Sequence, residues 1–130
     1  MSGKPESFSF ISKDWGVSVR DGVADGIYSL GYGSCHVQIV FEAGDRTEFL
    51  DSLPWRFVLP VNEIPNKRQG GFLAHLYDSN SEQDFNAHAF IDPETKMLSF
   101  QVNGKPVSSD YPFKWSSGCF LEVNFSYMTS

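Results

Sequence analysis

The sequence predicts an all-β domain, an antiparallel β-sandwich of jelly-roll type with a β-barrel as the alternative, and three observations carry that prediction. The chain is rich in rings, with 12 Phe, 5 Tyr and 3 Trp among 130 residues, and aromatic side chains suit the half-buried surface of a sheet. Apolar and polar residues alternate with period two in run after run, the spacing that turns one face of a strand inward. Tight-turn residues separate those runs, and apolar residues do not recur at helical spacing. About eight to ten short strands around one core follow.

Taken in order, Ser7 to Ser12 alternates through Phe8 and Phe10, and Trp15 to Arg20 through Trp15, Val17 and Val19. Asp21-Gly22, Asp25-Gly26 and Gly31-Tyr32-Gly33 supply turns around a short aromatic run, Ile27 to Tyr32. Cys35 to Glu42 is a longer strand, and Ala43-Gly44-Asp45-Arg46 turns it back into Thr47 to Leu50. Trp55 to Leu59 closes at Pro60. Residues 60–71 contain Pro60, Pro65 and Gly70-Gly71, which break a regular helix or central strand, so a long loop is expected there. Its Lys67-Arg68 pair is the densest positive charge in the chain. A loop of this length is either functional or a cover for a sheet edge.

Two apolar-rich runs, Gly71 to Tyr77 and Phe85 to Ile91, flank the polar stretch Asp78 to Asp84. A loop over Asn80 to Gln83 predicts that Ser79 faces Asp84 and His75 faces His88, with Phe72, Ala74 and Leu76 opposite Ile91, Ala89 and Ala87. After a turn at Asp92 to Lys96, Ile91 meets Leu98, Ala89 meets Phe100 and Ala87 meets Val102, so the apolar face extends over a third strand, Met97 to Asn103. Asn103-Gly104 turns again. A last strand, Cys119 to Tyr127, points Leu121, Val123, Phe125 and Tyr127 inward.

On the opposite face this register aligns His75, His88 and Gln101 in one row, Tyr77, Asn86 and Asn103 in the next, and Leu73, Phe90 and Ser99 in a third. Amides and imidazoles bond vicinal hydroxyls, and a ring supports the apolar face of a pyranose. His75, Tyr77, Asn86, His88, Gln101 and Asn103 are therefore the candidate ligand-binding residues, with Tyr77 as the stacking ring. The competing reading is a solvated sheet face, on which polar residues also alternate outward. Two facing histidines raise a metal site, but zinc or copper needs a third ligand and Gln101 is a weak one, so no metal is expected. The turn Asp78 to Asp84 offers oxygens at alternate positions as an EF-hand loop does. Gln83 stands where that loop needs glycine, and Ala89 where it needs the bidentate glutamate.

Length bounds the chain to one domain, 1–130, with residues 1–6 read as a loose N-terminal stretch. Sixteen acidic against ten basic side chains give a formal charge of −6 without a block of either sign. That charge opposes phosphate backbones and anionic membranes, so neither nucleic acid nor membrane is expected as a partner. No signal-like apolar segment follows the N-terminus, and no run approaches the ~20 apolar residues of a span. The expectation is a cytoplasmic product. Cys35 and Cys119 sit in apolar strand-like settings and read as buried reduced thiols. A disulfide between them, like the sequon Asn124-Phe125-Ser126, would suit secretion instead.

Enzyme motifs are missing. The chain has no GxSxG elbow, no CxxC pair, no GxGxxG after a strand and no phosphate loop, so neither catalysis nor a cofactor is expected. Phe100-Gln101-Val102-Asn103-Gly104-Lys105 invites comparison with small β-sandwich lectins, but the histidine, asparagine and arginine signature of galectins is absent from the hairpin, so the likeness is an analogy of fold and no family is assigned. Two functions follow as expectations. One is a lectin-like binding module for a carbohydrate or other polar ligand on the sheet face; the other is a small acidic inhibitor or immunity protein that blocks a basic toxin or enzyme. A homo-oligomer built through an exposed aromatic patch is a third.

Overall fold

Strands are the only regular elements in the computed structural model, which describes residues 4–129. They are β1 (Glu6–Phe8), β2 (Val17–Ser18), β3 (Val23–Gly31), β4 (Ser34–Glu42), β5 (Glu48–Phe49), β6 (Arg56–Val58), β7 (Gln69–Asp78), β8 (Gln83–Asp92), β9 (Met97–Val102), β10 (Lys105–Pro106) and β11 (Phe120–Met128). Nine form one antiparallel sheet in the order β1-β3-β4-β11-β7-β8-β9-β10, with β6 also on β9; β2 and β5 form a second, small sheet. The expected all-β sandwich architecture is present. The barrel alternative is not, because the two edges of the large sheet stay unjoined.

The core lies on one face of the large sheet. Val37, Ile39 and Phe41 of β4, Leu121, Val123 and Phe125 of β11, Ala74 and Leu76 of β7, and Ala87, Ala89 and Ile91 of β8 all point into it. Opposing them is a layer of short elements and loops that contributes Phe10, Trp15, Trp55, Leu59, Val107, Phe113 and Trp115. Trp15 packs across the gap onto Phe41 at 5.0 Å; within the second layer Trp55 meets Trp115 at 4.6 Å, and on the neighbouring strands β6 and β9 Phe57 meets Phe100 at 5.1 Å. The abundance of aromatics thus serves a thin second layer, where a few large side chains cover the sheet without long strands of their own.

Several boundaries differ from expectation. Asp25-Gly26 is not a turn but the middle of β3. A Cβ on Gly26 would meet the Phe8 ring at 2.8 Å and the Phe8 carbonyl at 2.9 Å, so this glycine admits the close approach of β1. Of the first run, Ser7 to Ser12, only Ser7 and Phe8 are strand, in β1 with Glu6, and Phe10 leaves the sheet to enter the core. Of the stretch read as loose, Glu6 pairs with Tyr28, while residues 1–3 lie outside the described residues. The expected loop of residues 60–71 gives its end, Gln69–Gly71, to β7.

Cys35 and Cys119 are free and buried. Cys35 pairs with Tyr127, whereas Cys119 directly precedes Phe120 at the other end of β11. Eight residues of extended strand separate those ends by roughly 26 Å, far beyond the reach of a disulfide. Among the described residues no helix is long and apolar enough to cross a membrane.

Candidate functional site

The β7–β8 hairpin forms, but two residues out of the expected register. Asp78 pairs with Gln83, Tyr77 with Asp84, His75 with Asn86, Leu73 with His88 and Phe72 with Ala89. The loop is therefore Ser79 to Glu82. Asp78 sets it: one carboxylate oxygen accepts the Asn80 N–H at 3.1 Å, the other accepts the Ser81 hydroxyl at 2.7 Å, and Glu82 takes a left-handed φ of 56°. These local bonds start the turn one residue earlier than hydrophobic matching alone would. A shift of two leaves every side chain on its expected face and changes only its cross-strand partner.

The pairing of His75 with His88 is thereby corrected. His75 stands opposite Asn86, and His88 opposite Leu73 on one side and Gln101 on the other. Pairing of β8 with β9 follows the expected register, including Ile91 with Leu98 and Ala89 with Phe100. Asn103 is displaced from its expected row. It falls in the turn after β9 with a φ of 52°, beside Gly104 at 80°, and does not join Tyr77 and Asn86 in a ladder.

The decisive rearrangement is the insertion of β11 between β4 and β7. It places Glu122 between Val40 and His75, and Phe120 between Glu42 and Tyr77. The His75 ring is held by two carboxylates, with Nδ1 at 3.0 Å from Glu122 Oε1 and Nε2 at 2.6 Å from Asp84 Oδ1. Both nitrogens thus face acceptors, which favours the doubly protonated ring. The Glu122 and Asp84 hydrogen bonds raise its pKa above the ordinary histidine value, against a smaller opposing effect of burial. Tyr77 stacks on Phe120 at 5.2 Å, and the His75 ring meets Phe120 edge-on at 5.3 Å. The ring expected at Tyr77 is thus half of a two-ring platform.

Next to His75 the sheet opens. Pairing of β11 with β7 runs from Phe120 and Tyr77 to Val123 and Ala74 and then stops. Beyond that point β7 bulges, setting Gly70 and Gly71 against a single residue of β8. Further on, the Gln69 side chain replaces the missing main-chain pairing: its Nε2 donates to the Met128 carbonyl at 2.9 Å, and its Oε1 accepts the Met128 N–H at 2.7 Å. Over β4, β11 and β7, where the β11–β7 pairing ends, lies a groove of ≈ 450 Å³ lined by Gln38, Val40, Leu73, His75, Glu122 and Asn124. Leu73 is 65% exposed in it and Val40 38%.

His88 and Gln101 lie one and two strands beyond Leu73. His88 has a structural task, since its Nε2 accepts the Gly71 N–H at 2.9 Å and pins the bulge. Its ring stacks on Phe90, and the Arg68 guanidinium lies 4.1 Å over that same ring. Of the six residues singled out from the sequence, the structure places His75 in the groove, Asn86, Tyr77 and His88 around it, Gln101 farther out, and Asn103 away from it. Gln38, Glu122 and Asn124 were missed. Their outward alternation is visible in the sequence, but only the strand order brings them to β7. No group of three or more His, Cys, Asp or Glu side chains among the described residues is arranged to hold a metal ion.

The chain matches no protein-family model, no curated protein and no solved structure.

Proposed function

We propose that the chain is a non-enzymatic binding module whose ligand, a carbohydrate or similar polar molecule, lies along the outer face of the sheet in the groove between β11 and β7. One observation carries this reading: exposed apolar side chains interleave there with planar amides. Ile27 stands opposite Gln38, Gln38 opposite Asn124, and Val40 opposite Glu122. A face kept only for solvation would alternate polar residues outward. Instead Leu73, Val40 and Ile27 offer apolar surface beside side chains that both donate and accept hydrogen bonds, the combination that fits the two characters of a sugar ring. The Tyr77–Phe120 platform adds a flat surface one row away.

A glycan array tests it. Asn124→Ala and Gln38→Ala are expected to weaken binding of any retained glycan at least tenfold. His36→Ala, which changes the same face outside the groove, should leave it intact. Equal binding by all three variants and the parent removes the reading.

A second reading has its own observation. Asp25, Glu42, Asp84 and Glu122 share this face in two neighbouring rows, which suits an inhibitor that covers a basic surface on another protein. It predicts association that slows steeply with added salt and no retained glycan.

A further inference from the structure

We infer that the groove accepts uncharged or amino-bearing sugars and rejects acidic ones, an inference that rests on the binding reading above. Glu122 lines the groove beside the His75 ring, and Asp84 stands behind that ring on β8. Glu122 and Asp84 both hold His75, so even with that ring protonated the trio carries one net negative charge. Asp25 lies opposite Val40, and Glu42 opposite Phe120, in the rows that border the groove. No lysine or arginine lines it.

The cations of this face stand elsewhere. Arg68 sits over Phe90 on β8, and Arg56 of β6 pairs with Ser99 of β9. With strands about 4.8 Å apart, Arg68 over β8 is roughly 10 Å from β11 across two strand spacings and Arg56 roughly 19 Å across four, both past the ~8 Å over which exposed charges act at physiological salt. His36, on the groove's other side, is bonded to Ser126. A ligand carboxylate or sulfate placed against Asn124 or Gln38 would thus meet Glu122 without a compensating cation.

Hydrogen-bonding chemistry points the same way. The carboxylate of Glu122 can only accept, and one of its oxygens is already engaged by His75. A hydroxyl or an ammonium can donate to the other oxygen, while a second carboxylate cannot. The amides of Gln38 and Asn124 bind either neutral acceptors or neutral donors. Charge sign is therefore decided at Glu122, and the remaining polar groups are indifferent to it.

Frontal affinity chromatography on the immobilised full chain, at pH 7 and physiological salt, tests the inference with three sets of hexasaccharides. The neutral set is cello-, malto-, manno- and chitohexaose; the amino probe is the glucosamine hexamer; the acidic set is hexagalacturonate and a hyaluronan hexamer. At least one neutral or amino probe should be retained at least tenfold more strongly than either acidic probe, and Glu122→Gln should narrow that ratio several-fold. Stronger retention of an acidic probe, lost in Asn124→Ala, overturns the charge inference and leaves the binding reading standing. Retention of no probe, or retention unchanged in Asn124→Ala, overturns both. Glu122→Gln is an exposed, near-isosteric change, and its amide spectrum verifies that the sheet is intact.

Discussion

His88 holds the main chain of Gly71: its Nε2 accepts the Gly71 N–H at 2.9 Å, at the two-residue bulge of β7 against β8. The bulge lies just past Leu73, which lines the groove. A residue that reads from the sequence as a hydrogen bonder for ligand is a hydrogen bonder for backbone. This tautomer carries its proton on Nδ1.

His88→Ala should therefore cost about 1 kcal/mol of stability, the worth of one net hydrogen bond, and should accelerate amide exchange at Gly71. Urea unfolding and hydrogen exchange check both. The neutral ring at alkaline pH should show ¹⁵N shifts of an Nδ1-protonated imidazole; an Nε2-protonated signal contradicts the assignment.

Gln69 ties the start of β7 to the end of β11 through two bonds to Met128. Gln69→Leu removes both and is expected to destabilise by about 1–3 kcal/mol. Gln69→Glu keeps the acceptor for the Met128 N–H and loses only the donor, so it should fall between leucine and the parent. Equal stability of all three proteins in denaturant titrations would show that the bridge contributes nothing.

The trio of Glu122, His75 and Asp84 makes stability depend on pH. Since the folded-state pKa of His75 is raised above its ordinary value near 6.5, its contribution is fully present below about pH 6.5 and is lost as pH rises through the folded-state value. The stability difference between the parent and His75→Gln should accordingly shrink from pH 6 to pH 9. NMR titration of the His75 ring protons should give a midpoint above 6.5. A midpoint below it would mean that burial outweighs the two carboxylates.

Core and edge make separate predictions. Trp55, buried against Trp115 at 4.6 Å, should cost about 3–5 kcal/mol when cut to alanine. Gly26→Val would press a side chain into Phe8, with an expected cost of about 1–3 kcal/mol and faster exchange at Ser7 and Phe8 in β1. Unchanged exchange there would show that β1 tolerates the added bulk.

How much of this was legible in the sequence depends on the range of the interaction. Period-two alternation placed Leu121, Val123, Phe125 and Tyr127 on the buried face, because that pattern is local. The β8–β9 register was legible too, since three apolar pairs match in only one way. For β7 and β8 the same matching was two residues out. The apolar residues fit either register, and the carboxylate of Asp78 decides through its bonds to Asn80 and Ser81. The place of β11 was not legible: its pairing with both β4 and β7 joins residues more than forty positions apart, and nothing local selects those neighbours. For that reason His75, Tyr77, Asn86 and His88 could be named in advance, while Gln38, Glu122 and Asn124 could not.

Amide-shift mapping of the ¹⁵N-labelled chain with the best-retained glycan tests the central claim most directly. The account predicts that the largest changes fall on Gln38, Val40, Leu73, His75, Glu122 and Asn124, on both sides of the gap between β11 and β7. Changes confined to the opposite layer, around Ser109 and Trp115, would contradict it.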